Sequence, residues 1–256
     1  MQDGDIDAAS FTNIRLASGA IVLLILLTAK SSLNTVVHSG SWTSAFMLFL
    51  YAVCFSYAYI ELGAGMGALI LFALVQATMV IAALLAGERP TLLEIVGWVF
   101  AAAGLVYLLL PGAEAASLTG SVLMAVSGIA WGVYSIRGAR ESAPLASTTS
   151  NFTRSLVFVL LLMLGSLQAI ELSQRGVLLA VASGAVTSGV GYVIWYAALR
   201  HLRTLQAALV QLSVPAIAAL GGVLLLAEPL TLRLTLSGVL ILGGISIAMI
   251  RKAGRA

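Results

Sequence analysis

Residues 184–229 read GAVTSGVGYVIWYAALRHLRTLQAALVQLSVPAIAALGGVLLLAEP. The stretch holds two apolar segments joined by a short basic loop, Arg200-His201-Leu202-Arg203. Pro215 stands near the middle of the second segment, one turn after Gln211. In a water-exposed helix such a proline costs about 3 kcal/mol, because it removes a backbone hydrogen bond and crowds the carbonyl four residues back. Within a bilayer, a freed carbonyl is tolerated only against protein or a watery cavity. Pro215 cannot donate to the carbonyl of Gln211, so one spot gathers two polar groups in need of partners. That makes it the first candidate for a site.

Composition sets the class. Hydrophobic residues make up 61% of the 256, and 9% are charged. The mean hydropathy is +1.07. Runs of about 18 or more apolar residues mark membrane spans. Nine such spans are expected, over 11–29, 42–62, 66–86, 92–110, 117–136, 149–167, 176–198, 204–226 and 232–250. Short connections imply antiparallel neighbours. The longest polar stretch, Arg137 to Thr149, reads as a loop. The formal charge of +3 suggests nucleic acid only in a soluble chain, so no nucleic-acid partner is expected.

Nine spans put the termini on opposite sides. With the N-terminus outside, the inner loops and tail carry Lys30, Arg89, Arg137, Arg140, Arg200, Arg203, Arg251, Lys252 and Arg255. The outer loops carry Arg175 and Arg233. This is a strong positive-inside bias, and it places the C-terminus in the cytoplasm. The tail MQDGDIDAAS is acidic and does not resemble a signal peptide, which begins with positive charge. The single cysteine, Cys54, excludes a disulfide framework and a thiolate metal site.

An internal repeat accompanies the spans. A shift of 140 superposes Glu88 on Glu228, Thr91 on Thr231, Leu92 on Leu232, Gly104 on Gly244 and Leu69 on Leu209. A shift of 139 superposes Arg15 on Arg154, within FTNIR and NFTR. The matched segments fall on opposite sides of the membrane, so the repeat is inverted, as in many secondary transporters. Residues 1–112 form the first repeat with four helices, and 113–256 the second with five. The helix 117–136 has no counterpart, so the first helix of repeat one is expected to be missing, and the coding sequence is expected either once to have begun or truly to begin upstream of Met1.

The two helix-end signatures LLAGERPTLLEIVGW (84–98) and LLLAEPLTLRLTLSG (224–238) resemble the EamA type of the drug/metabolite transporter superfamily. GIAWGVYSIRG (128–138), and GYVIWYAAL (191–199) followed by Pro215, support the resemblance. It covers essentially the whole chain. It implies ten helices as two inverted five-helix repeats, and export of amino acids, related metabolites or drugs from a bacterial inner membrane. Two departures stand out: the first helix is absent, and Val75 occupies the first-repeat position matching Pro215.

Candidate side chains carry two readings each. Glu88 and Glu228 precede prolines at helix starts, where a carboxylate meets the positive end of a helix dipole; proton coupling is the alternative. Arg15 and Arg154 lie about one turn inside spans. An arginine at the bilayer centre costs about 2.5–3.5 kcal/mol, but near an end it snorkels to the interface. The alternative is a gating or electrostatic pair that attracts anionic groups at two mouths of a pathway.

For substrate binding the candidates are Gln211, Pro215, Trp195, Trp131 and Gln76. Gln211 sits on a small or polar face with Thr204, Ala208, Pro215, Ala218 and Gly222, from which Leu209 and Leu212 turn away. The preceding helix offers Gly184, Ser188, Gly191, Trp195 and Ala198. Small faces also serve plain helix packing. Tyr134 and Trp42 read as interfacial anchors.

Catalytic and nucleotide-binding motifs are absent: there is no HExxH and no phosphate-cradling glycine loop, and both histidines, His38 and His201, fall in loops. No enzyme activity, metal or cofactor is expected. The sequence therefore reads as a secondary transporter of a small metabolite, amino-acid-like compound or drug. The alternative is a non-transporting membrane subunit or a half-complete transporter that depends on a partner. Its expected partners are a small-molecule substrate, the lipid bilayer and, to supply the tenth helix, a second copy in a homodimer.

Overall fold

The computed structural model describes residues 6–29, 39–109, 117–166, 170–226 and 229–250. The described residues are helical apart from turns and one antiparallel bridge, Ile6 with Leu172. The elements are α1 (Ala8–Thr28), α2 (Trp42–Leu85), α3 (Leu92–Leu109), α4 (Leu118–Gly138) and α5 (Pro144–Ser166). After them come α6 (Gln174–Ala182), a π-helical segment (Ser183–Val190), α7 (Gly191–Leu199), α8 (Thr204–Gln211), α9 (Ser213–Leu226) and α10 (Leu232–Met249). Among the described residues, nine helical stretches are long and apolar enough to cross a membrane. They match the nine expected from sequence one for one, with some ends shifted. Long aliphatic side chains face outward along them: Leu85, Leu92, Leu118 and Leu224 are 76–83% exposed. An apolar coat of this extent would aggregate in water and suits a lipid solvent. The protein is an all-α integral membrane protein.

Helix starts follow the side chains available. Asp7, Ser117, Ser173 and Thr231 cap α1, α4, α6 and α10 by accepting from the backbone N–H three residues on. At α3, Thr91 and Glu94 form a capping box: the Thr91 N–H donates to Glu94 Oε2 at 2.7 Å, and the Glu94 N–H donates to Thr91 Oγ1 at 3.3 Å.

Two boundaries differ most from those expected. Helical structure is continuous from Trp42 to Leu85, through the expected turn between the second and third spans. That turn, Gly63-Ala64-Gly65, contains neither a proline nor a polar cap to end a helix. The sixth span begins at Pro144, inside the expected loop. Proline suits the first helical position, and the polar run that suggested a loop is buried against protein. Ser147, Thr148, Thr149, Ser150 and Asn151 are all at most 4% exposed.

The chain packs as two compact units, Met1–Gly63 with Ser117–His201, and Ala64–Ala116 with Leu202–Ala256. In the first, α1 lies against α5 and the π-helical segment at contacts that admit only glycine. A Cβ on Gly184 would stand 2.1 Å from the Arg15 carbonyl oxygen, and one on Gly19 would stand 2.6 Å from the Phe152 ring. In the second, α3 and α10 meet along glycines. A Cβ on Gly97 would lie 2.3 Å from the Gly244 carbonyl oxygen, and one on Gly104 would lie 3.0 Å from that of Ser237. Residue numbers rise along one helix as they fall along the other, so this pair is antiparallel. Ala101, Leu105, Leu209, Leu212, Ala216 and Ile241 form the core beside the seam.

Candidate functional site

In the first unit the polar centre is Arg15. It lies two turns inside α1, deeper than expected, because the helix starts at Ala8. It is 7% exposed. Its Nε donates to Ser188 Oγ at 2.8 Å, and its Nη2 donates to the hydroxyls of Tyr51 at 3.2 Å and Tyr192 at 3.3 Å. The guanidinium also lies over the rings of Tyr51 and Phe55, 5.5 and 5.9 Å from their centroids. Such cation–π contacts gain strength where water is excluded.

The aromatic wall continues from there. Trp131 packs on Tyr51 at 4.9 Å and on Tyr192 at 4.7 Å between centroids, and Tyr134 meets Trp131, Tyr192 and Tyr196. Ser127, one turn before Trp131, donates to the Tyr51 carbonyl at 3.0 Å. Tyr134 is 1% exposed, so the expectation of an interfacial anchor is corrected: its ring is enclosed by other aromatics. Trp42 is 56% exposed at the start of α2, where an anchor belongs.

The π-helical segment explains which tyrosines turn inward. Four residues advance an α-helix about 40° beyond a full turn, so a stripe at every fourth position drifts off one face. The wider π turn takes up that drift. Ala180, Gly184, Ser188, Tyr192 and Tyr196, four apart, are all buried. The face expected at α-helical spacing is overtaken beyond Ser188: Ala198 is exposed and Trp195 half-buried. The Trp195 indole N–H has no hydrogen-bond partner among the described residues.

Arg154 is placed differently from Arg15. It is partly exposed, donates from Nη1 to the Ser39 carbonyl at 2.9 Å, and lies 5.8 Å from the Trp42 ring centroid. The structure thus holds the two arginines in unlike settings, one deep and one reaching back past the start of α2.

In the second unit, Gln76, Gln211 and Pro215 do come together around a break in the eighth span. The Leu212 N–H donates to the Leu209 carbonyl at 3.0 Å, one residue short of the helical partner. That slip leaves the Ala208 carbonyl without its helical donor, and Gln76 Nε2 on α2 supplies one. Gln211 Nε2 donates to Met79 Sδ at 2.9 Å, and Ser213 Oγ to the Val210 carbonyl at 2.7 Å. Gln211 and Pro215 are buried. The small face expected for this span is not separate from its leucines, since Leu209 and Leu212 are buried in the same core while Ala218 is exposed.

Glu88 does meet a helix N-terminus, but of α8 and not of the helix it precedes. Its carboxylate accepts from the N–H groups of Thr204 at 3.1 Å and Leu205 at 3.3 Å. Beside it, Arg203 pairs with Glu94, a carboxylate only 6% exposed. The matching Glu228 lies outside the described residues. Among the described residues, no group of three or more His, Cys, Asp or Glu is arranged to hold a metal ion.

A sequence model of the EamA-like transporter family matches residues 118–250, just over half of the chain. The chain belongs to the EamA-like transporter family. It is similar to an uncharacterized protein of Pseudomonas aeruginosa, 47% identical over all of this chain and 89% of the relative. An uncharacterized transporter of Archaeoglobus fulgidus is 26% identical over 80% of this chain and 76% of its own. One protein of known crystal structure shares the fold with a TM-score of 0.80, at 19% identity, over 97% of this chain and 89% of that one. The EamA-family protein is therefore a membrane transporter in its general class.

Three features of the EamA-family protein escaped the sequence: the π-helical turn, the Tyr51–Tyr192 cradle of Arg15, and the burial of Glu94. Only Glu94 left a local signal, since Thr91-x-x-Glu94 has the spacing of a capping box.

Proposed function

We propose that this EamA-family protein is a secondary transporter that exports a small, partly apolar metabolite, amino-acid-like compound or drug across the bacterial inner membrane. In this reading it works by alternating access, without enzyme chemistry, and is driven by a gradient. The N-terminus lies outside and the C-terminus in the cytoplasm.

One observation carries the reading. Two spans lose α-helical geometry partway along, at Ser183–Val190 and at Leu212, and buried polar side chains gather at both places. In lipid, irregular backbone and buried polar groups are tolerated only against protein or a watery cavity, and transporters place their binding sites at interrupted spans of this kind.

The geometry also supports an inverted repeat of five-helix units. Under the shift of 140, Gly97 corresponds to Ser237 and Gly104 to Gly244. The observed contacts, Gly97 with Gly244 and Gly104 with Ser237, are therefore each other's images, as expected across a two-fold axis. The chain also leaves its first compact unit after Gly63 and again after His201, at nearly matching points of the two repeats.

The test uses purified protein in liposomes loaded with a small-molecule extract of the host cell. Export predicts saturable release of particular compounds down an imposed gradient. Release no faster than from protein-free liposomes overturns transport and favours the partner-dependent subunit.

A further inference from the structure

We propose that Arg15 is the anion-recognition point of the transport site and that the cargo is an organic carboxylate with a flat apolar body. This rests on the transport reading above and narrows its substrate class.

Arginine stays charged under all ordinary conditions. Here that charge is buried in the membrane-spanning part of the first unit, where a compensating anion is expected. Among the described residues none is present: Arg15 touches hydroxyls and rings there and makes no ion pair. The hydrogen bonds engage Nε and Nη2, so Nη1 donates to none of the described residues. A guanidinium with N–H groups left over is suited to a planar, two-oxygen acceptor.

Its cradle is built rather than incidental. Ser188 comes from the π-helical segment, Tyr192 from α7 and Tyr51 from α2, so three elements fix one side chain. Gly184 allows α1 to approach this segment closely enough for the contact. Trp131 lies on the same two tyrosines that hold the guanidinium, which sets a flat apolar wall beside the charge. A structural arginine would need only the hydroxyls. The remaining donors and the adjacent indole fit a small planar carboxylate.

The probe is benzoate, compared with benzamide, which has nearly the same shape and no charge. Thermal unfolding of the purified protein should show a saturable rise in midpoint with benzoate and none with benzamide. In Arg15→Gln the benzoate effect should weaken at least tenfold. If Arg15→Gln fails to fold, Ser188→Ala and Tyr192→Phe serve instead, each expected to weaken the benzoate effect several-fold. Equal effects of benzoate and benzamide, persistence of the benzoate effect in Arg15→Gln or in both cradle variants, or no benzoate effect in the wild type would each overturn the proposal. The liposome experiment separates the two claims: no release refutes transport, whereas release of only neutral or cationic compounds refutes the carboxylate.

Discussion

At Gly184 a Cβ would stand 2.1 Å from both the Arg15 carbonyl oxygen and Ser18 Oγ, so alanine forces α1 away from the π-helical segment. Overpacking of this kind costs about 1–3 kcal/mol. Gly184→Ala should lower the unfolding midpoint in detergent and loosen the Arg15 cradle, whereas Gly238→Ala, with nothing within 4 Å of the added carbon, should leave the midpoint unchanged or raise it slightly. Gln211→Leu tests the second unit. It removes the bond to Met79 and should change stability by no more than about 1 kcal/mol. Flux should nonetheless fall at unchanged expression, tenfold for about each 1.4 kcal/mol of binding lost. Asp7 gives a pH-dependent test. Burial alone would raise its carboxyl above the ordinary 3.8, but hydrogen bonds from Ser10 and from the Glu171 N–H hold it below. A lowered folded value adds stability above the unfolded value, and the gain is lost as pH falls through the folded one. The stability difference between wild type and Asp7→Asn should therefore be full at neutral pH and vanish on acidification below about pH 4.

Among the elements, the break between α8 and α9 makes the clearest prediction. Pro215→Ala restores a donor for the Gln211 carbonyl and removes the ring clash. Stability should hold or rise and flux should fall; unchanged flux in a well-folded Pro215→Ala protein would show that the break is mere architecture. This element also shows what a sequence reveals. Proline acts on its own backbone, so the interruption was legible from Pro215 alone, and the spans were legible because apolar runs of bilayer length admit few other readings. The partner of the break was not. Gln76 was notable as a mid-span glutamine, but its use by the Ala208 carbonyl follows from a one-residue slip at Leu212 that no residue type announces. The seventh span was harder still. A period of 3.6 selects Ser188, Trp195 and Ala198, and only the π-helical turn brings Tyr192 and Tyr196 to the inner side. Glu88 was assigned the right chemistry at the wrong helix, because a carboxylate's preference for N–H groups is local while the choice of helix is made by packing.

For the whole molecule, the loop charges predict an orientation that reporters can test. Fusions at Ala256 and within the loop 139–143 should both report cytoplasm, and an outer-side signal from either would invert the assignment and remove the basis for export. The helix pair α3 and α10 bears on how such a molecule can move. Each of Gly97 and Gly244 places its carbonyl oxygen where the other's side chain would be, and Gly104 repeats the contact two turns along. Sliding one helix past the other by a turn, about 5.4 Å, would drive the side chains of Phe100 and Ala101 into the backbone that now faces a bare Cα. The two helices are thus keyed like a shaft in its socket: they can be carried or tilted as one piece, but the joint does not telescope.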